Sequence, residues 1–147
     1  MKAVAHRSSR RAFTHQVDIR QHHLTADEPI EEGGEDTGPS PQELLAASLA
    51  SCTAVTIEMY AARKGWDVGA VEVECEYAPA DRESPTSFTL VLRLPAACSP
   101  DQIERLSVIA AKCPVHRTLE GEVSFEQHVE LVEPNAPLTA SPRAQLS

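Results

Sequence analysis

The chain has 147 residues and a formal net charge of −9, with 41% hydrophobic, 24% charged and 4% aromatic residues. This is an ordinary globular balance at a length that suits one domain, and a chain of this size buries roughly two thirds of its unfolded surface without needing a staple. The acidity argues against nucleic acid and anionic membranes as partners, nothing at the basic N-terminus reads as a secretory signal, and no segment is expected to reach the roughly 18 apolar residues of a membrane span.

Residues 1–9 read as a loose end. Arg10 to Arg20 alternates partially through Phe13, Val17 and Ile19 and is expected to be a strand, with His22 to Ala26 as its hairpin partner. Asp27 to Asp36 carries six carboxylates and reads as a solvated run, leading into a loop over Glu31 to Pro41. Gln42 to Lys64 is the strongest helix signal. Ser40 caps it, Pro41 suits its first turn, Arg63 and Lys64 sit at its negative end, and Gly65 stops it. Its apolar residues run nearly all round, which is the mark of a helix buried on most sides, in a core or against another subunit.

Ala70 to Tyr77 alternates Val71, Val73, Cys75 and Tyr77 with glutamates, and Thr86 to Leu94 reads as its partner strand across a turn-rich connection. Asp101 to Lys112 is a second helix behind Ser99 and Pro100. Val115 to Leu119 adds a turn, Val123 to Val132 a last strand, and residues 133–147 form a tail expected to be disordered. The order of elements predicts a single α+β domain over residues 1–132, with antiparallel sheets.

Chemistry can reside in few places. Cys52 lies mid-helix among the small residues Ala50, Ser51, Thr53 and Ala54; packing as a small hydrophobe and redox work both remain open for it. Cys113 precedes Pro114, so a helix breaks there and a new turn begins. That puts the thiol at a helix N-terminus, near His116 and Arg117, a setting that favours thiolate. Cys113 and His116 are at most half a metal site, since no second pair has ligand spacing. Cys75 reads as core and Cys98 as a loop thiol open to mild reaction. The other histidines read as surface or strand residues. The expected compartment is cytoplasmic, where cysteines are reduced, catalytic or inert rather than bridged. There is no Gly-x-Ser-x-Gly elbow and no phosphate-binding glycine loop.

Two stretches resemble the OsmC/Ohr family of organic hydroperoxide resistance proteins. Gly38 to Thr53 is similar to the segment that opens the family's central helix and delivers its first cysteine. Lys112 to Leu119 is similar to the segment around its second cysteine. His23 to Pro29 resembles the lead-in of an OsmC-like subgroup. The resemblance implies antiparallel sheets around a long buried central helix and an intertwined homodimer with active sites at the subunit interface. It implies reduction of an organic hydroperoxide without metal, flavin or other cofactor. Carried over by position, Cys52 is the peroxidatic thiol and Cys113 the resolving one. A thiol reductant, either a lipoylated protein or a small dithiol, would reopen their disulfide.

The family activates its first thiol with an arginine from the N-terminal strand, held by a glutamate at the start of the central helix. Here Arg11 falls at the arginine position, with Arg10 one place off. Gln42 falls at the glutamate position, with Glu43 beside it, which departs from the pattern. Glu43 precedes Cys52 by nine positions, about 900° of turn and roughly 13 Å of rise, so in one continuous helix they point in opposite directions. A catalytic Glu43 would therefore serve the partner subunit's Cys52. The alternative on the same fold is a binding or electrophile-scavenging protein with an apolar interface pocket; a third reading is a structural dimeric module.

Overall fold

The structure is a computed structural model and describes residues 1–7 and 13–131. An N-terminal antiparallel sheet runs in the order β1 (Val4–Arg7), β2 (His15–Ile19), β3 (His22–Ala26). The tight β2–β3 hairpin pairs Ile19 with His22, and Arg20 adopts a left-handed conformation (φ 56) in its turn. The expected loose end is thus in part a strand: Val4 pairs with Asp18 and Arg7 with His15. The expected strand from Arg10 begins only at His15, and its residues 10–12 lie outside the described ones.

The acidic run is not uniformly solvated. Asp27 is 1% exposed. Its carboxylate accepts from the Thr14 and Thr37 hydroxyls at 3.1 and 2.7 Å and from the backbone N–H groups of Glu28, Glu35 and Thr37. It therefore ties β2 to the loop that leads into the long helix. Gly34 is needed in that loop because a Cβ there would sit 1.8 Å from the Glu28 carbonyl oxygen.

The long helix α1 spans Pro41–Lys64. Ser40 and Glu43 form a reciprocal capping box: the Ser40 hydroxyl accepts from Glu43 N–H at 3.2 Å, and Glu43 Oε2 accepts from Ser40 N–H at 2.7 Å. Gly65 ends the helix in a left-handed conformation (φ 67) that costs a residue without Cβ little. Behind it come the antiparallel pair β4 (Glu72–Ala78) and β5 (Ser87–Arg93), then α2 (Pro100–Ala110) and α3 (Pro114–Glu120).

α1 packs on β4, α2 and α3 along the stripe Leu49, Thr53, Ile57 and Ala61. Ile57, Ala61, Val68, Cys98, Leu106 and Ala110 form the core, closed by Tyr60 and Trp66 meeting edge to face at 5.8 Å. Cys98 belongs to this core, so the expected loop thiol is buried. The rest of α1 is open in the single chain: Val55 and Met59 are half exposed. By length and composition alone α1 could cross a membrane, contrary to the sequence expectation, but its packed stripe makes it the core helix of this fold.

The expected last strand does not form over the described part of Val123 to Val132. Residues 122–131 are without regular structure, and Phe125 and Leu131 are 93% and 95% exposed. The alternation is present, but among the described residues no strand pairs with the segment, and isolated strand backbone has nothing to hold it. The tail 133–147 lies outside the described residues.

Candidate active site

Cys52 and Cys113 come together where α1 meets the α2–α3 junction. Pro114 cannot continue α2, because it has no N–H and pushes the preceding residue out of helical conformation. Cys113 is accordingly extended (φ −63, ψ 143), and the chain restarts as α3 with Pro114 in the first turn and Cys113 as its N-cap. The cysteine sulfur takes the place usually held by a Ser or Asp oxygen, accepting from His116 N–H at 3.3 Å. A second donor reaches it from α1: Thr53 Oγ1 lies 3.5 Å from Cys113 Sγ. Cys113 and Thr53 are both fully buried, while Cys52 is partly exposed. All four cysteines are free thiols.

The two thiols are close enough for each to shift the other's ionisation, and they move in opposite directions. Burial pushes the Cys113 thiol up, but donation from His116 N–H, the Thr53 hydroxyl, the Cys52 thiol and Val115 N–H outweighs it and lowers the value below that of an ordinary thiol. Burial also raises Cys52, and the Cys113 neighbour adds to the rise; Val115 N–H and the Thr56 hydroxyl offset only part. In the single chain, negative charge is favoured on Cys113 and the proton on Cys52.

Near the pair, though with neither cysteine in its lining, lies a largely apolar cleft of about 380 Å³, lined by Leu45 and Leu49 of α1, Tyr77, Phe88 and Leu90 of the β4–β5 sheet, and Leu119 of α3. Leu45, Leu49 and Cys52 follow one another at helical spacings of four and three, so the cleft runs along the side of α1 that carries the thiol. His116 and Glu120 also line it. His116 Nε2 meets Glu120 Oε1 at 3.1 Å, and its buried Nδ1 has no hydrogen-bond partner among the described residues.

The other candidates do not join the pair in this chain. Glu43 closes the capping box at the start of α1, and α1 is unbroken to Cys52, so the two stay on opposite sides of the helix. Gln42 is exposed in a shallow groove with Glu43 and Cys75. Arg10 and Arg11 lie outside the described residues. Cys75 is half buried on the α1-facing side of β4, and burial raises its thiol. Among the described residues no group of three His, Cys, Asp or Glu side chains could hold a metal ion. Thr53 was missed by sequence reasoning. Its signal was there: at helical period it is the one polar residue on the stripe of Leu49, Ile57 and Ala61.

Comparison with known proteins fits this arrangement. A family model described as OsmC-like protein matches residues 33–128. No curated protein matches significantly. Among solved structures, an organic hydroperoxide resistance protein OsmC of Legionella pneumophila is 23% identical, with 82% of this chain and 88% of its own covered and a TM-score of 0.61. An OsmC-like protein of Mycoplasma pneumoniae is 20% identical, over 82% and 85%, with a TM-score of 0.65. The organic hydroperoxide resistance protein OhrB of Bacillus subtilis is 21% identical, over 82% and 90%, with a TM-score of 0.57. At these identities the likeness is one of fold.

Proposed function

The chain belongs to the OsmC-like protein family, and from that premise we propose that it is a thiol peroxidase that reduces organic hydroperoxides through Cys52 and Cys113. The observation that carries this reading is the pair itself: two free thiols, 61 positions apart in sequence, meet near a largely apolar cleft, one of them cradled by hydrogen-bond donors. The peroxide's organic part occupies the cleft. The Cys52 thiolate attacks the peroxide, the O–O bond breaks, the alkoxide takes a proton and leaves as an alcohol, and Cys52 holds a sulfenic acid. The Cys113 thiolate then attacks that sulfur. The S–S bond forms, the S–O bond breaks, and the departing hydroxide takes a proton to become water. A lipoylated protein or a small dithiol reduces the disulfide.

Burial raises Cys52, so forming its thiolate needs a cation. We assign this role to Arg11, with Arg10 as the alternative, brought to Cys52 across a homodimer interface. Glu43 of the other copy would orient the arginine through the carboxylate oxygen that the cap leaves over, with Gln42 beside it. The open faces of α1 and the unpaired, alternating segment 122–131 support such a dimer, since both leave apolar side chains uncovered.

The raised Cys52 thiol also favours a second reading, an apolar-ligand binder whose thiols trap electrophiles without turnover. Turnover of cumene hydroperoxide with excess dithiothreitol separates the two. The peroxidase reading predicts consumption far faster than free cysteine at equal thiol, abolished in Cys52→Ser; with dithiothreitol left out, Cys113→Ser should stop after one turnover with Cys52 as sulfenic acid. Consumption no faster than free cysteine would leave the binding reading.

A further inference from the structure

The buried stripe of α1 is apolar except at one position. Leu49, Ile57 and Ala61 need only fill space, but Thr53, fully buried between them, carries a hydroxyl that would be costly there without a partner. Hydroxyls inside helices usually fold back on the carbonyl four residues earlier. The neighbours do so: Ser51 donates to Ala47 O at 2.8 Å and Thr56 to Cys52 O at 2.7 Å. Ser107 of α2 and Thr118 of α3 do the same. Thr53 instead points across the helix interface and donates to Cys113 Sγ. Its position directly after Cys52 makes the peptide that carries one thiol also the anchor of the other.

We propose that Thr53 is a positioning residue for disulfide formation: its hydroxyl holds Cys113 Sγ against the Cys52 segment of α1 and keeps it ready to attack as a thiolate. The inference rests on the reading of Cys52 and Cys113 as a redox pair. In the step it serves, the Cys113 sulfur lone pair forms the S–S bond to Cys52, the Cys52 S–O bond breaks, and hydroxide leaves with a proton from solvent as water. Without the hydroxyl, Cys113 keeps the His116 N–H but loses the donor that fixes it from the α1 side. The threonine methyl packs; the threonine oxygen positions the sulfur.

The test uses the full chain, reduced and mixed with cumene hydroperoxide in a single turnover over a range of pH. Cys52 sulfenic acid is trapped with dimedone, and disulfide formation is followed by quenched mass analysis. Thr53→Val keeps the shape and removes the donor. Disulfide formation should slow by roughly tenfold, the size of one lost hydrogen bond to a charged group, and its pH midpoint should move up. Thr53→Ser, which keeps the oxygen and loses the methyl, should retain the wild-type midpoint. A role in packing alone would give the reverse order, with valine the milder change. Wild-type rate and midpoint in Thr53→Val would overturn the proposal. A second readout needs no peroxide: ultraviolet titration of thiolate in Cys52→Ser against Cys52→Ser/Thr53→Val. An upward shift of the Cys113 titration supports the anchor, and no shift removes it, even if Cys52 proves inert to hydroperoxide and the peroxidase reading fails.

Discussion

Asp27 shows how much of a site's support can hide in an ordinary residue. Among six carboxylates within ten residues it looks like one more solvated charge. In the fold its two oxygens collect five donors from Thr14, Glu28, Glu35 and Thr37, and its value falls from 3.8 to about 2, with the Thr37 hydroxyl as the largest cause. Nothing in the local spacing says that Thr14 and Thr37 converge on it; only tertiary folding does. A depressed folded-state value stabilises the native chain above the unfolded value and loses that contribution as pH falls through the window from about 4 to 2. Asp27→Asn should therefore melt below wild type at neutral pH, with the gap narrowing as pH drops through that window. Thermal unfolding by circular dichroism across the range checks this, and a constant gap would contradict it. The thiols were more legible. Cys113-Pro114 announces a helix break by proline geometry alone, and the N-cap follows from it. Thr53 was less so, because a threonine beside a cysteine reads as filler until its face of the helix is known.

At the scale of elements, local rules wrote most of the structure. The capping signals at Ser40 and Ser99 both became reciprocal capping boxes with proline in the first turn. Ser40→Ala should cost about 1 kcal/mol in denaturant unfolding, the usual value of an N-cap, and a change near zero would mean that packing alone fixes the start of α1. The paired strands β4 and β5 were read from their alternation, and their glutamate face is wet, with Arg93 bridging Glu72 and Glu74. The same alternation misled at residues 123–132. A period of two shows that a segment suits a sheet, but a ladder forms only where a strand lies alongside, and among the described residues none pairs with this segment. β1 failed in the other direction, since four residues with little alternation became a strand only because β2 lay beside them.

At the scale of the molecule, the helix composition pointed to burial on most sides, yet the single chain buries only one stripe of α1. A second apolar opening of about 570 Å³ lies between the N-terminal sheet and the start of α1, lined by Phe13, Val17, Ala26 and Leu44 among others. Together with Val55, Met59 and Phe125, this leaves apolar surface uncovered in the single chain, as a face awaiting a second copy would. Sedimentation velocity should find a dimer, and Phe125→Asp with Met59→Lys should shift it toward monomer and cost peroxidase turnover, because the activating arginine crosses the interface in the proposed site. A wild-type monomer with full turnover would contradict that arrangement.

The central claim is that Cys52 and Cys113 act as one redox unit. The most direct measurement is peptide mass mapping of the reduced chain after one equivalent of cumene hydroperoxide. The account predicts a bridged pair of peptides carrying Cys52 and Cys113, with Cys75 and Cys98 still thiols. Oxidation spread over Cys75 and Cys98, or over-oxidised Cys52 with Cys113 left as a free thiol, would contradict it.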